Sequence, residues 1–431
     1  MAESDRFPKM IRVRQRFDAR RLDDIPGEVG RQLAGLNLSD KVRADESVAI
    51  TVGSRGIANI AEITKAIVDH FLGLGARPFI VPAMGSHGGG TAEGQREIVE
   101  GYGMTEESLG VEIRSSMETV VVDTTPQGIP VHFDRNAWEA DHVVVAGRVK
   151  PHTGFSGEIE SGLHKMMLIG LGKHEGAKIY HRAIQNYSFA EIIHAVADSV
   201  LSRCGVVAGV AIVENAYDET ALIEAVPPSV FYDREKELLR MAREGMPRLP
   251  FHECDLLIID EIGKNISGTG LDTNVVGRKR SDADATDGEG IHCHRIFVRS
   301  LTAATHGNAT GIGLAEFTNR VTADAIDHRA TQINAITGGH PAAAMTPIVC
   351  DTDLEAVSMA LQTVGLVEPP EARVMQITNT LHVAELLVSE AYRSQVVERD
   401  DLEVLSDAEP MAFDTAGGLS PVHVAAATEH G

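Results

Sequence analysis

Short apolar runs alternate with helical patterns along this chain, and that alternation constrains the fold most. The runs VAITV (48–52), RPFIVPA (77–83) and DHVVVAG (141–147) are typical of buried strands. Between the first two, apolar residues recur at helical spacing from Ile57 to Leu74. Strands that alternate with helices predict an α/β fold with a largely parallel, twisted sheet.

The second half repeats this pattern, with predicted strands at 254–260, 295–302, 346–350 and 372–378 and an amphipathic helix at 353–365. A chain of 431 residues is too long for one ordinary core. We therefore predict two α/β domains with mostly parallel sheets and an active-site cleft between them. Residues 1–250 form the catalytic domain, and residues 251–431 form a domain that closes over the substrate. The segment 277–290, GRKRSDADATDGEG, is predicted to be a charged surface loop.

Bulk composition excludes several classes of partner. The formal charge of −23 should repel nucleic acid and acidic membranes. The longest apolar stretch, at 205–213, is far shorter than a membrane span. The first residues lack an apolar signal segment, and the four cysteines form no CxxC pair. These features predict a cytoplasmic protein in a reducing compartment.

Polar residues follow three of the predicted strands of the first domain. Arg55, His87 and His152 each lie in a loop that begins at a strand end. Ligands of parallel α/β sheets bind beyond the carboxyl ends of the strands. The positions of these residues, more than their types, therefore predict a functional site.

Two of these loops have alternative interpretations. In GSHGGG (85–90), the glycines around His87, Gly88 among them, let a ligand approach the backbone. This pattern favours an acid/base histidine or an anion-binding turn, and it is also typical of a flexible turn with an incidental histidine. Pro151 restricts the backbone before His152, which favours a defined imidazole position. The alternative is a loop histidine held by a backbone hydrogen bond.

The segment GLHKMMLIGLGKHEGAKIYHR (162–182) contains an apolar core, MMLIGL, with charged residues at its two ends. Such charged residues are usually solvated, but the glycine density weakens a plain helix and suits a segment that wraps a ligand. His181 is a plausible metal ligand. In the second domain, Lys264 leaves a predicted strand end, where it could bind a carboxylate or remain a surface lysine. Asp260 and Glu261 could hold it in place.

Four motifs in this order and spacing resemble the lactate racemase family: GSHGGG, KPHTGFSG, the lysine of GLHKMMLIGL and the histidine of IYHR. The resemblance implies a nickel-pincer nucleotide cofactor, covalently attached to Lys165, with its nickel coordinated by His181. It implies that His87 and His152 are an acid/base pair, that Arg55 contacts cofactor or substrate, and that Lys264 binds the substrate. Gly88 would lie against the cofactor.

The implied activity is racemisation or epimerisation of a small-molecule 2-hydroxy acid by reversible hydride transfer, with cofactor-biosynthesis proteins as partners. Lactate-specific members carry an acidic residue three positions before the arginine, where this chain has Val52. The resemblance therefore leaves the substrate open. Two other interpretations also stay open: a metal-dependent hydrolase or lyase that uses the same histidines without the nucleotide, and a non-catalytic protein that binds a hydroxy acid.

Overall fold

The computed structural model describes residues 6–54, 56–183, 186–279 and 290–422, apart from the side chain of His181. It divides the chain into two compact units. The N-terminal unit comprises Asp18–His152 and Ser156–Met246, and the C-terminal unit comprises residues 6–17, 153–155 and 247–422.

Strands and helices alternate through both units. The strands are β1 (Lys9–Gln15), β2 (Ser47–Val52), β3 (Arg77–Pro82), β4 (Thr119–Thr124), β5 (Pro130–Asp134), β6 (His142–Arg148), β7 (Val206–Glu214), β8 (Thr220–Val226), β9 (Glu253–Ile259), β10 (His292–Val298), β11 (Phe317–Asn319), β12 (Ile348–Cys350), β13 (Val374–Ile377), β14 (Glu385–Ser389), β15 (Leu402–Val404) and β16 (Glu409–Pro410). The α-helices are α1 (Ile25–Ala34), α2 (Ile60–Gly73), α3 (Ala92–Gly101), α4 (Glu106–Leu109), α5 (Arg135–Trp138), α6 (Gly162–Lys165), α7 (Lys173–Ala183), α8 (Phe189–Arg203), α9 (Phe231–Gly245), α10 (Thr273–Val276), α11 (Arg320–Asp324), α12 (His328–Thr337), α13 (Asp353–Leu361) and α14 (Arg393–Val397). A π-helical turn spans Met166–Gly170, between α6 and α7. Short 3₁₀ turns span Leu38–Asp40, Gly88–Gly90, Pro228–Val230, Ala303–Thr305, Ile312–Leu314, Pro341–Ala344, Pro369–Glu371 and Glu390–Tyr392.

The N-terminal unit is built on a sheet with the strand order β3-β2-β6-β7-β8. The first four strands are parallel to one another, and β8 runs antiparallel to β7. The predicted α/β class with mostly parallel sheets is therefore confirmed. Strands β4 and β5 form a separate antiparallel hairpin.

Both faces of this sheet are buried, as the continuous apolar runs predict. In β6, Val143 and Val145 belong to one hydrophobic core, and Val144 and Ala146 belong to the core on the opposite face. Because side chains alternate between the faces of a strand, only an unbroken apolar run can supply both cores.

The sheet of the C-terminal unit is larger and mixed. Within the described ranges its strand order is β12-β11-β10-β9-β13-β14-β1-β15, and β16 pairs with β1. The strands from β12 to β13 are parallel, whereas β14, β1 and β15 pair antiparallel. Strand β9 contributes side chains to both hydrophobic cores of this unit. Leu257 and Ile259 belong to one core, and Leu256 and Ile258 belong to the other.

Strand β1 belongs to the C-terminal unit, although the sequence prediction placed residues 1–250 in one domain. It pairs with β14 from Met10↔Ser389 to Arg14↔Glu385. Leaving β1 out would expose the apolar side chains of Ile11 and Val13, which are fully buried. The division at 250/251 and the cleft between domains stay predictions.

Three further features bear on the sequence predictions. In the described part of the chain, no helix is long and apolar enough to cross a membrane. All four cysteines are buried and free of disulfides. The predicted surface loop at 277–290 lies largely outside the described residues, because 280–289 are not described.

Candidate functional site

The carboxyl ends of β2, β3, β6 and β7 meet at one edge of the N-terminal sheet, because these strands are parallel. Two of the predicted site histidines, His87 and His152, lie in loops that leave this edge. Glu214, at the end of β7, pairs with Arg148 and accepts a hydrogen bond of 2.7 Å from the backbone N–H of Ala58. Arg55, the third predicted residue, lies outside the described residues.

The π-helical turn Met166–Gly170 packs on this same edge. A Cβ added at Gly147, in β6, would lie 2.8 Å from Cγ of Met166, and one at Gly53, after β2, would lie 3.7 Å from its Sδ. A Cβ added at Gly170 would lie 2.8 Å from the carbonyl oxygen of Ala83, after β3. The turn thus packs against three strand ends, and glycine is required for this close approach at Gly147 and Gly170.

Lys165 is the last residue of α6 and directly precedes the π-helical turn, with its side chain partly exposed. A π-helical turn is rare and frequently marks a functional site, since the widened turn weakens the regular hydrogen bonds. The structure therefore places the predicted cofactor lysine beside the strand ends that carry His87 and His152.

His87 is exposed, but its loop is fixed by hydrogen bonds from neighbouring elements. The side-chain amide of Gln95, a fully buried residue of α3, donates to the carbonyl oxygens of Gly85 at 2.9 Å and His87 at 3.3 Å. The hydroxyl of Ser54, which follows β2, forms a hydrogen bond with Nδ1 of His87. The backbone position and one ring nitrogen of His87 are therefore both fixed.

Gly88 has a packing role that the sequence did not reveal. Its φ is +65°, and an added Cβ would lie 2.4 Å from the carbonyl carbon of Gly94 in α3. Gly89 has a similar φ of +66° but no neighbour within 4 Å of an added Cβ. The requirement for glycine at Gly88 thus comes from the close approach of the loop to α3, and its contact with a cofactor stays a prediction.

The loop that carries His152 is closed by a buried carboxylate. Glu160 is fully buried, and it accepts hydrogen bonds from the backbone N–H of His152 at 2.6 Å and of Gly157 at 2.8 Å. Arg243 of α9 forms an ion pair with the same carboxylate at 2.6 Å. Glu158, by contrast, is exposed and pairs with Lys236. Of the two glutamates in the segment EIES (158–161), Glu160 is therefore the one that holds the loop in place.

Lys173 corrects the expectation that the charged residues flanking the apolar core MMLIGL are solvated. It is completely buried, and its Nζ lies 3.1 Å from Oδ2 of Asp134, which is also completely buried. Nζ also donates to the carbonyl oxygen of Pro82, at the end of β3, and to Oε1 of Gln95 at 3.2 Å. Lys173 therefore connects the hairpin strand β5 to the loop of His87.

Burial dominates the electrostatics of this pair. Burial lowers the pKa of Lys173 and raises the pKa of Asp134, and in each case the partner's charge opposes the shift. Lys173 also has a φ of +54°, which is strained for a residue with a side chain. Sequence reasoning missed this role because Asp134 and Gln95 are distant in the chain.

His164, the residue before Lys165, has a structural role. Its Nδ1 lies 2.6 Å from Oε2 of Glu235, and both side chains are buried. Burial raises the pKa of Glu235, an effect that the hydrogen bond from His164 opposes. This pair attaches α6 to α9 and so fixes the backbone at Lys165.

The two remaining predicted site residues are His181 and Lys264. His181 lies on α7, sixteen residues after Lys165, and its side chain is not described. Lys264 lies in the C-terminal unit, where its backbone N–H donates to Oγ1 of Thr305 at 3.1 Å and its Nζ donates to the carbonyl oxygen of Gly268. Its contact with a substrate stays a prediction.

Asp260 and Glu261 do not hold Lys264 in the way that the sequence suggested. Asp260 pairs with Arg299 and accepts a hydrogen bond of 2.9 Å from Gln376. Glu261 accepts a hydrogen bond of 2.9 Å from Asn379. Both carboxylates thus bind groups of the sheet and its loops.

Two histidines in strand-end loops and a lysine at the end of α6 thus lie at the edge of the sheet where α/β domains bind their ligands. Residues 31–191 match the family model for the lactate racemase N-terminal domain. The resemblance to the lactate racemase family predicted from the four motifs is therefore confirmed for this region of the chain.

Two solved structures are similar in arrangement to larger parts of the chain. The lactate racemase apoprotein from Thermoanaerobacterium thermosaccharolyticum is 14% identical, with a TM-score of 0.49 over 89% of this chain and 96% of that chain. A structural-genomics target from Thermotoga maritima is 11% identical, with a TM-score of 0.48 over 83% of this chain and 97% of that chain. None of the curated proteins matches the chain.

Proposed function

We propose that this protein is an isomerase that racemises or epimerises a 2-hydroxy acid by reversible hydride transfer to a nickel-pincer nucleotide. The observation that carries the proposal is the position of Lys165. It directly precedes a π-helical turn that packs on three strand ends, within a region that matches the lactate racemase N-terminal domain. His87 and His152 lie in loops from the same edge of the sheet.

The residues around this edge fit an anionic group that is held covalently. Lys165 is accessible enough to react, and Gly89 leaves open space above the loop after β3. Nδ1 of His174 is buried and, among the described residues, has no hydrogen-bond partner. It lies 3.7 Å from the position of an added Cβ at Gly90, so it faces the same glycine loop. A buried imidazole nitrogen without a partner is suited to binding a ligand oxygen.

The nickel-pincer nucleotide, when bound, supplies a hydride acceptor and donor. In this proposal Lys165 holds it through Nζ, and His181 is its protein nickel ligand. His87 and His152 exchange a proton with the substrate hydroxyl, one for each enantiomer, because the hydroxyl points in opposite directions in the two forms. Histidine suits this task because its pKa lies near working pH.

The remaining predicted contacts complete the substrate site. Arg55 and Lys264 would bind the carboxylate of the 2-hydroxy acid, since charge-assisted hydrogen bonds to carboxylates are strong. Proteins that synthesise the nucleotide would be required partners in the cell.

Intact-mass spectrometry tests the attachment. The chain is produced together with cofactor-biosynthesis proteins, and wild type is expected to carry a mass adduct that Lys165→Ala lacks. Lys178→Ala is the matched control, because Lys178 is an exposed lysine of neighbouring α7 that pairs with Glu175 on the surface. An adduct of equal mass in Lys165→Ala would contradict the proposal. Metal without any adduct would instead favour a metal-dependent hydrolase or lyase.

Chiral chromatography tests the reaction. Loaded protein is incubated with single enantiomers of different 2-hydroxy acids, and conversion of at least one into its other isomer is expected. His87→Ala and His152→Ala should each lower the rate by about 10²–10⁴-fold. Full activity in either variant would remove that histidine from the mechanism. Ligand-induced stabilisation without turnover would favour a binding protein.

A further inference from the structure

A second cluster of metal-binding side chains lies in the C-terminal unit, on strands that the proposed reaction does not use. Glu253 begins β9 and His292 begins β10, and these two residues are direct partners in the parallel register. His294 follows two residues later on β10, so its side chain projects from the same face as that of His292. The register thus brings two imidazoles and a carboxylate together.

The distances within this cluster suit a shared ion. One ligand atom from each of Glu253, His292 and His294 lies within 4.8 Å of the other two, and among the described residues no other group of three such side chains meets this spacing. Nδ1 of His292 is 3.5 Å from Oε2 of Glu253. The rings of His292 and His294 are 4.9 Å apart between centroids and meet at 75°. The two rings are thus close neighbours in an edge-to-face arrangement.

The backbone beneath these side chains is held firmly. The backbone N–H of His292 donates to the carbonyl oxygen of His252 at 2.6 Å. The guanidinium of Arg278 donates to the carbonyl oxygens of Cys293 and His294 at 2.8 and 3.1 Å. Between the two histidines, Cys293 points to the opposite face and is buried in the core. Metal sites on strands are more precise than sites on loops.

The side chains themselves are exposed enough to adjust. The side chain of His292 is 67% exposed and that of Glu253 is 53% exposed. Ligand atoms around a tetrahedral zinc ion are roughly 3.3 Å apart, since each lies about 2.0–2.2 Å from the metal. Small rotamer changes of solvated side chains are therefore sufficient to close the site. Arg373, the cation whose charge acts on Glu253, is bound by Asp255 at 2.9 Å.

We propose that Glu253, His292 and His294 bind a divalent transition-metal ion, Zn²⁺ by preference, and leave at least one coordination position open to solvent. Two imidazole nitrogens and one carboxylate oxygen form the ligand set of zinc sites that keep an open position. The site is independent of the proposed racemase chemistry, because it shares no residue with it.

Isothermal titration calorimetry with ZnCl₂ tests the site on the full chain, purified from cells that lack the cofactor-biosynthesis proteins. One Zn²⁺ per chain is expected, with a dissociation constant in the micromolar range. His292→Ala and His294→Ala should each weaken binding at least tenfold, and Glu253→Gln should weaken it several-fold. His252→Ala is the matched control, because it removes an exposed imidazole next to Glu253 that is outside the cluster.

The variant His181→Ala distinguishes zinc binding at this cluster from zinc binding at the proposed nickel ligand. Binding that persists in His181→Ala and disappears in His292→Ala/His294→Ala supports the cluster. Binding that persists in the double variant, or the absence of any saturable binding to wild type, overturns it. Far-ultraviolet circular dichroism checks that each variant is folded. A rise in the melting temperature with ZnCl₂ in wild type, but not in His294→Ala, provides a second measurement.

Discussion

Lys173 and Asp134 form a completely buried ion pair, with 3.1 Å between Nζ and Oδ2. Through Gln95 and the carbonyl of Pro82, this pair supports the loop that carries His87. A buried charge without its partner is costly, whereas removing both charges together costs less.

This relationship predicts a strong coupling between the two side chains. Lys173→Met should lower the free energy of unfolding by about 3–5 kcal/mol, because it leaves a buried carboxylate unpaired. Lys173→Met combined with Asp134→Asn should cost less than the sum of the single changes. Asparagine preserves the hydrogen bond that Asp134 accepts from the backbone of Ala137 at 2.9 Å. Denaturant unfolding measures all four proteins in a double-mutant cycle.

Lys178 supplies the control for that cycle. It pairs with Glu175 at the same distance of 3.1 Å, but both side chains are 53% exposed. Lys178→Met should change stability by no more than about 0.5 kcal/mol. Equal effects of Lys173→Met and Lys178→Met would show that burial does not determine the contribution of Lys173.

Two neighbouring glycines separate backbone strain from steric overlap. Gly89→Ala should cost about 1–2 kcal/mol, because an alanine at a φ of +66° is strained even in open space. Gly88→Ala has the same strain and also places a Cβ 2.4 Å from the backbone of Gly94. It should therefore be clearly more destabilising, and thermal unfolding of both variants measures the difference. Equal losses would mean that the loop moves away from α3 without cost.

The two glutamates of the EIES segment should behave differently. Glu160→Gln replaces a buried carboxylate that binds two backbone N–H groups and Arg243. The free energy of unfolding should therefore fall by about 2–3 kcal/mol. Glu158→Gln changes an exposed residue and should have little effect. Hydrogen exchange of the His152 amide should accelerate in Glu160→Gln and not in Glu158→Gln. Unchanged exchange in both would contradict the role assigned to Glu160.

His132 should make stability depend on pH. Burial lowers the pKa of its imidazole below 6.5, an effect that Glu175 opposes. The unfolded chain therefore binds a proton that the folded chain excludes, so stability falls as pH drops below about 6.5 towards the lower folded-state pKa. His132→Asn, whose amide can replace the hydrogen bond of Nδ1 with Thr119, should flatten this dependence. The exposed His328→Asn should not, and denaturant midpoints from pH 5 to 7.5 measure both.

The sequence predicted the elements that are buried on both faces, because burial imposes a continuous apolar run. Strands β2, β3, β6 and β9 all follow that rule. The side chain of Thr91 caps α3, as threonine before a helix often does, and accepts a hydrogen bond of 3.1 Å from the backbone N–H of Gly94. The apolar run at 205–213, too short for a membrane span, forms most of strand β7.

Other features depend on partners that are distant in the chain, so no local pattern could reveal them. Strand β1 carries Arg12 and Arg14 among its apolar residues, and its place in the sheet is set by β14 and β15. The burial of Lys173 depends on Asp134, which lies on a different strand. The glycine density of 162–182 did indicate an irregular helix, but not that its π-helical turn would pack on three strand ends.

The pairing of β1 constrains the order in which the protein folds during synthesis. Ribosomes add about 5–20 residues per second, so β1 emerges tens of seconds before β14 and β15, its partners at 385–404, exist. During that interval the N-terminal unit can fold, while the apolar residues of β1 have no partner strand to pair with. The positive charges of Arg12 and Arg14 disfavour association between nascent chains on neighbouring ribosomes. A strand that is synthesised long before its partners is thus among the last to pair.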